Sequence, residues 1–209
     1  LPVTHYIPAA RLNNDSDVTA LGKLEFEGRK EQVISALRVI DSSISDITTL
    51  VIGGQPQLYA KMRGRLLLLP GGKRDVIKSL QESGAIVGMV GDGVNRLLSI
   101  LLTIMSNPGP NAVLLIDEIE TGFHYSVYGS LWKAVMKTAR ENRCQVIATT
   151  HSYECIQGAV AAGDAARDDF CYFRIDRGED DDEDDKDIVA RRYSGDLLNT
   201  AMEMEMEVR

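Results

Sequence analysis

Apolar positions recur at helical spacing between Arg29 and Thr48. Val33, Leu37, Ile40, Ile44 and Ile47 step by four, three, four and three, which predicts one helix with a buried face. Gly53-Gly54 breaks that pattern. Gln57 to Leu69 (QLYAKMRGRLLLL) then reads as two short strands hinged at Gly64 and stopped by Pro70 and Gly71-Gly72, a hairpin. Arg74 to Glu82 fits a short helix, and the basic residues around it fit a phosphate-facing loop equally well.

From Met89 the pattern changes. Gly91-Asp92-Gly93 is a turn that opens Val94 to Met105 (VNRLLSILLTIM), apolar on nearly every side and so expected to be an interior helix, closed by Asn107-Pro108-Gly109-Pro110. Ala112 to Ile116 (AVLLI) is a continuous apolar run of the kind seen in strands covered on both faces, and it finishes in Asp117-Glu118. A helix follows with Val127, Leu131, Ala134, Val135 and Thr138 inward, and Gln145 to Thr150 (QVIATT) is a second buried strand that ends in His151-Ser152. Strand, helix and strand in that order form a right-handed βαβ unit. The remainder reads as a helix from Tyr153 to Ala162, strands at Phe170 to Ile175 and Ile188 to Tyr193 joined by an acidic loop, and an amphipathic piece from Ser194. No internal repeat is visible, and the ending MEMEMEVR alternates with period two, leaving helix or strand open there.

Composition adds limits more than content. With 209 residues, 44% apolar and 26% charged, the chain has roughly one domain's worth of ordinary soluble, folded sequence, which sets aside disordered and fibrous classes. The net charge is −8, but Asp176 to Asp187 carries nine acidic and two basic residues and so accounts for −7 of it. The rest is near neutral, and Lys61 to Lys78 gathers six Lys/Arg against Asp75 alone. That basic stretch is either a contact for nucleic acid or another polyanion, or a solvated strand face. Cys144, Cys155 and Cys171 form no C-x-x-C pair, so neither a disulfide framework nor a zinc ribbon is indicated and a reducing, cytoplasmic setting is expected. No apolar run is long enough to cross a bilayer, and the start LPVTHYIPAARLNND lacks the features of a secretory signal.

The chemistry lies at the strand ends. An apolar strand that delivers Asp117 and Glu118 to its carboxyl end places two carboxylates where open α/β sheets bind ligands. In a nucleotide site one can hold Mg²⁺ and the other can take a proton from attacking water. The same two acids would equally serve the N-terminus of the next helix. A parallel neighbouring strand brings His151 to that edge, where an imidazole can hydrogen-bond a terminal phosphate or the attacking water. Glu120 and His124 stand four apart but lack a third metal ligand and the H-E-x-x-H pattern, so they are read as loop residues lining a nucleotide interface. Trp132, Met105 and Met136 are expected to pack, and Tyr153 and Glu154 to start the next helix.

AVLLIDEIETGFHYSVYGSLWKAV followed by QVIATTHSYECI resembles the second half of an ABC-type ATPase domain, of the group that contains the overcoming-lysogenisation-defect (OLD) ATPases and the RecF and SMC-like proteins. The resemblance is specific from Gly91 to about Ile156, continues loosely to Arg209, and covers residues 1–90 only in general layout. It implies that Asp117 is the Walker B aspartate that holds Mg²⁺, that Glu118 is the catalytic glutamate, and that His151 is the switch histidine. It also places Gly91, Asp92 and Gly93, with Arg96 one turn on, where the signature motif of such dimers reaches a γ-phosphate bound by the other subunit. Glycine amides at a helix N-terminus suit an anion, and Asp92 departs from the usual signature toward the OLD-like branch.

The cradle for the phosphates is missing. A P-loop needs G-x-x-x-x-G-K followed by Ser or Thr, and the nearest match, Gly71-Gly72-Lys73-Arg74, lacks both the leading glycine and the hydroxyl. The resemblance therefore implies an α/β, P-loop NTPase (ABC-type) core, incomplete, with a mostly parallel sheet flanked by helices and a C-terminal hairpin. Residues 1–90 form a helical and hairpin segment before the signature, and residues 91–209 form the C-terminal part of the core. The expected ligands are ATP and Mg²⁺, and the expected partners are a second copy in a homodimer or a Walker A-bearing segment. Nucleic acid is a further partner the resemblance allows, and, with no acidic nuclease module after His151, a separate nuclease or effector would then be the one to cut it; a membrane is not an expected partner. In the resembled fold the Walker A strand lies beside the strand that carries His151, so without it Gln145 to Thr150 becomes an edge and one sheet face loses its helix. The rivals are a non-catalytic interaction subunit, and a metal-dependent hydrolase that uses Asp117, Glu118 and His151 without nucleotide.

Overall fold

The computed structural model describes residues 2–9, 15–52, 54–62, 65–68, 87–89, 91–163, 170–177 and 188–194. The helix or loop expected at 74–82, the Gly71–Arg74 stretch, the acidic loop and the piece after Ser194 lie outside these residues. Three strands form the central sheet: β1 (Val3–Ile7), β6 (Ala112–Ile116) and β7 (Cys144–Ala148), in the order β1-β6-β7 and all parallel. The βαβ unit is thus present, with α4 (Tyr128–Glu141) as its crossover. β1, at the polar start of the chain, is a strand that periodicity did not reveal. Val3, Thr4 and Tyr6 are exposed and only Ile7 is buried, so the segment shows no apolar run.

The expected helix at 29–48 is instead a shorter helix and a strand, preceded by a helix that the sequence pattern did not predict. α1 (Asp15–Phe26) ends at Gly28, which takes φ 71 while Arg29 N donates to Leu24 O, a left-handed helix stop. α2 (Lys30–Leu37) follows and ends at Arg38, and an Asx turn in which Ser43 N and Oγ both donate to Asp41 Oδ1 leads on into the next strand. Ile44 and Ile47 then belong to strand β2 (Ile44–Ile52), not to the helix. The apolar spacing ran on across the turn because Val33 and Leu37 on α2, and Ile44 and Ile47 on β2, all enter one core. What decided the strand was the β-branched series Ile47, Thr48, Thr49, Val51 and Ile52. β2 pairs antiparallel with β3 (Gln55–Met62) across Gly54, at φ 77. β3 pairs with β4 (Arg65–Leu68), which gives the expected hairpin, and β5 (Val87–Met89) adds parallel to β4.

α3 (Asp92–Ser106) runs through the middle, and Asn95 to Met105 are all buried. It packs on α1, α2, α4 and β6, so the core draws on both sides of residue 90. α4 buries Leu131, Ala134, Val135 and Thr138, with Val127 half-buried in the 3₁₀ turn (Tyr125–Val127) before it. α5 (Tyr153–Ala162) lies against α4 at Gly158, where an added Cβ would stand 2.8 Å from Tyr128 Cβ. The hairpin β8 (Cys171–Arg177) and β9 (Ile188–Ser194) places Tyr172 and Tyr193 against Ile156.

The central sheet is covered unevenly. Ile7, Leu114 and Ile116 are buried under the helices, whereas the in-register row Tyr6, Leu115 and Ile147 lies on the other face, with Tyr6 57% and Ile147 50% exposed. Neither β6 nor β7 is the doubly covered strand its sequence suggested, because the described helices occupy one face only. β7 is also the end of the sheet order, an edge among the described residues. No helix among the described residues is long and apolar enough to cross a membrane.

Candidate nucleotide site

β6 carries its pairing one residue beyond its end, since Asp117 N donates to Ile7 O at 2.9 Å. The chain then turns through Glu118, whose φ of 45 is left-handed, a conformation uncommon for a residue with a Cβ. Neighbouring Thr149 holds the bend. Its N–H donates to Ile116 O, its carbonyl accepts from Ile119 N, and its hydroxyl accepts from Glu118 N while donating to Asp117 Oδ1, both at 2.9 Å. Thr121 Oγ1 donates to Glu118 Oε2 at 3.1 Å. The two carboxylates are thus half-buried at the carboxyl edge of the sheet and oriented by hydroxyls. The next helical turn begins only at Tyr125 and is capped by His124 Nδ1, so the helix-capping role open to Asp117 and Glu118 is filled by another residue.

His151 stands exposed past the end of β7. Its N–H donates to Glu120 Oε1 at 2.8 Å, while Ser152 caps α5 by accepting from Cys155 N. Tyr128 and Cys155 lie behind, and burial pushes both their hydroxyl and thiol up, opposed at Tyr128 by a hydrogen bond with Ser152 and at Cys155 by bonds with Trp132 and Thr150. Glu120 and His124 serve separate tasks, since His124 Nδ1 pairs with Ser126 Oγ at 2.9 Å. Among the described residues no group of three His, Cys, Asp or Glu could hold a metal by itself. The oxygen set of Asp117, Glu118 and Thr149 suits a hard cation such as Mg²⁺ that keeps water and phosphate ligands of its own.

Gly91 is the N-cap of α3, and Asp92 is exposed in the first turn. A Cβ on Gly93 would come within 2.8 Å of Gly122 O and of the Phe123 ring, so the glycine turn and the loop after β6 are in direct contact. Gly122 holds its side of that contact at φ 85. Arg96 differs from expectation. It is 4% exposed, and its guanidinium turns inward to donate to the carbonyls of Pro8, Ala9, Asp117 and Glu118. It sits three residues beyond Gly93 in the first turn of α3, against the ends of β1 and β6, where these four carbonyls would otherwise be left without it as a donor. Asp117, Glu118, the backbone of His151, the glycine turn and Arg96 are therefore brought to one sheet edge. Thr149, Thr121 and Glu120 join them. Glu120 was already read as a loop residue lining a nucleotide interface, whereas Thr149 and Thr121 left no trace in the sequence beyond their polarity.

A family model described as "AAA ATPase domain" matches residues 24–156, a stretch that contains Gly91 to Gly93, Asp117, Glu118 and His151. No curated protein matches the chain. One solved structure is similar over 90% of this chain and 99% of its own, at 12% identity and a TM-score of 0.44; it comes from work on the structural biochemistry of ATP-driven dimerization and DNA-stimulated activation of SMC ATPases.

Proposed function

The chain belongs to the AAA ATPase domain family, and on that premise we propose that it supplies the Walker B half of an ATP-hydrolysing core of ABC type, completed by a Walker A-bearing segment from the same or another polypeptide. The observation that carries the proposal is the Asp117-Glu118 bend, set by Thr149 beside the backbone of His151. Asp117 would hold Mg²⁺, which when bound polarises the phosphate oxygens. Glu118 takes the proton of the attacking water, and His151 donates to the terminal phosphate or orients that water. The Gly91, Asp92 and Gly93 turn offers amides at a helix N-terminus to a phosphate held by a second copy. Arg96 serves it indirectly, by fixing the strand ends that carry Asp117 and Glu118.

Two features favour an added segment. Among the described residues β7 presents an unpaired edge, and the face with Tyr6, Leu115 and Ile147 carries no second layer of the kind that parallel sheets require. A strand beside β7 and a helix over that face would supply both, and would bring a phosphate loop to the same sheet edge as Glu118.

The test is ATP turnover by the chain with and without a Walker A-bearing segment. Turnover is expected only with it. In the active assembly Glu118→Gln should leave nucleotide binding intact and lower turnover by about a hundredfold or more, the scale of a lost general base. Asp117→Ala should instead weaken Mg²⁺-dependent binding. Wild-type turnover by Glu118→Gln would contradict the assignment, and no turnover in any combination would favour a non-catalytic interaction subunit.

A further inference from the structure

Glu120 is separated from the proposed base by one residue, and it reaches into the other strand end. Oε1 accepts the His151 N–H at 2.8 Å across thirty-one residues of sequence. Oε2 is buried with no hydrogen-bond partner among the described residues. A carboxylate held with one oxygen unsatisfied is costly, and such groups in native structures call for a functional explanation. His124, which stands at metal-ligand spacing from it, is engaged with Ser126, so the explanation is not a shared metal.

The surroundings of His151 give one. Thr149, two residues before it, is bonded to Ile116, Glu118 and Ile119, and Ser152, directly after it, caps α5. The contact to Glu120 ties down the amide of His151 itself. The other end of the Glu120 loop abuts the glycine turn, where Gly122 and Phe123 meet Gly93. Glu118, Glu120 and Gly122 thus stand on one short loop that touches the strand end of His151 on one side and the start of α3 on the other.

We propose that Glu120 is a positioning residue for His151: its carboxylate fixes the backbone from which the imidazole projects, and registers it to the loop that carries Glu118. This rests on the nucleotide-site reading of Glu118 and His151. A hydrogen bond from an amide to a carboxylate is stronger than one to a neutral acceptor, and a neutral isostere still retains an acceptor. Glu120→Ala therefore removes the contact, and Glu120→Gln weakens it.

Two readouts test the proposal. In the assembly completed by a Walker A-bearing segment, Glu120→Ala should lower kcat by about ten- to a hundredfold, the scale of a small misplacement of a reacting group. KM for ATP should stay within about twofold, because the phosphate cradle is untouched, and Glu120→Gln should recover most of the loss. In ¹⁵N spectra of the same assembly, the His151 amide should exchange slowly with solvent, and its exchange should quicken by about tenfold or more in Glu120→Ala. Wild-type kcat in Glu120→Ala, with Glu118→Gln inactive, would overturn the positioning role and leave the nucleotide reading standing. If Glu118→Gln also turned over normally, the nucleotide reading would fail and the positioning role with it, whatever the amide did. Should Glu120→Ala not fold, the exchange of the wild-type assembly decides, and a His151 amide that exchanges as fast as an unprotected one overturns the proposal.

Discussion

Arg96 holds four backbone carbonyls from two strand ends with one guanidinium, a use of its planar fork that no shorter or apolar side chain can copy. Arg96→Met keeps helix propensity and much of the volume but leaves these acceptors buried without donors. Its unfolding free energy should fall by about 3 kcal/mol or more, given about 1–3 kcal/mol for each stranded polar group, as measured by urea denaturation. A loss below about 1 kcal/mol would mean that water or other donors replace the guanidinium. This residue also marks where reading the sequence stops. Asp117, Glu118 and His151 were legible because charge and imidazole end apolar runs, and a strand's end is visible from its pattern. Arg96, Thr149 and Glu120 were not legible in their present roles. The direction of a side chain one turn into a helix, or in a loop with a left-handed residue, depends on packing that periodicity does not encode.

At the scale of elements, long apolar segments announced themselves. α3, β6, α4 and the β8–β9 hairpin lie close to where spacing placed them. Errors arose where two short elements share one core. The step of three and four ran from α2 into β2, and only the Asp41 turn and the β-branched residues beyond it separate helix from strand. β1 escaped notice because a strand at the border of a sheet with one open face needs few apolar residues. β7 carries the main liability. Its edge is unpaired among the described residues, and Ile147 is half exposed with neither lysine nor proline in the strand to deter pairing. Ile147→Lys should therefore reduce self-association of the isolated chain in analytical ultracentrifugation while leaving its urea midpoint nearly unchanged. Undiminished association would locate the contact elsewhere.

For the molecule as a whole, the uneven sheet and the proposed chemistry are one problem. Helices on one face make a single continuous core from Ile7 to Ala159, enough to fix Asp117, Glu118 and the backbone of His151. Among the described residues the same arrangement leaves Tyr6, Leu115 and Ile147 without a second layer, on the side where the proposed phosphate-binding strand and helix would lie. The proposed site has two parts: this chain would carry the cation-binding and proton-accepting half, and a Walker A-bearing segment would supply the half that grips phosphate. Calorimetric titration of Mg·ATP into residues 1–209, alone and with a Walker A-bearing segment, tests it most directly. Little or no heat of binding is expected for the chain alone, and binding at about micromolar affinity, near 8 kcal/mol, once the segment is present. Micromolar binding by the well-behaved chain alone would contradict it.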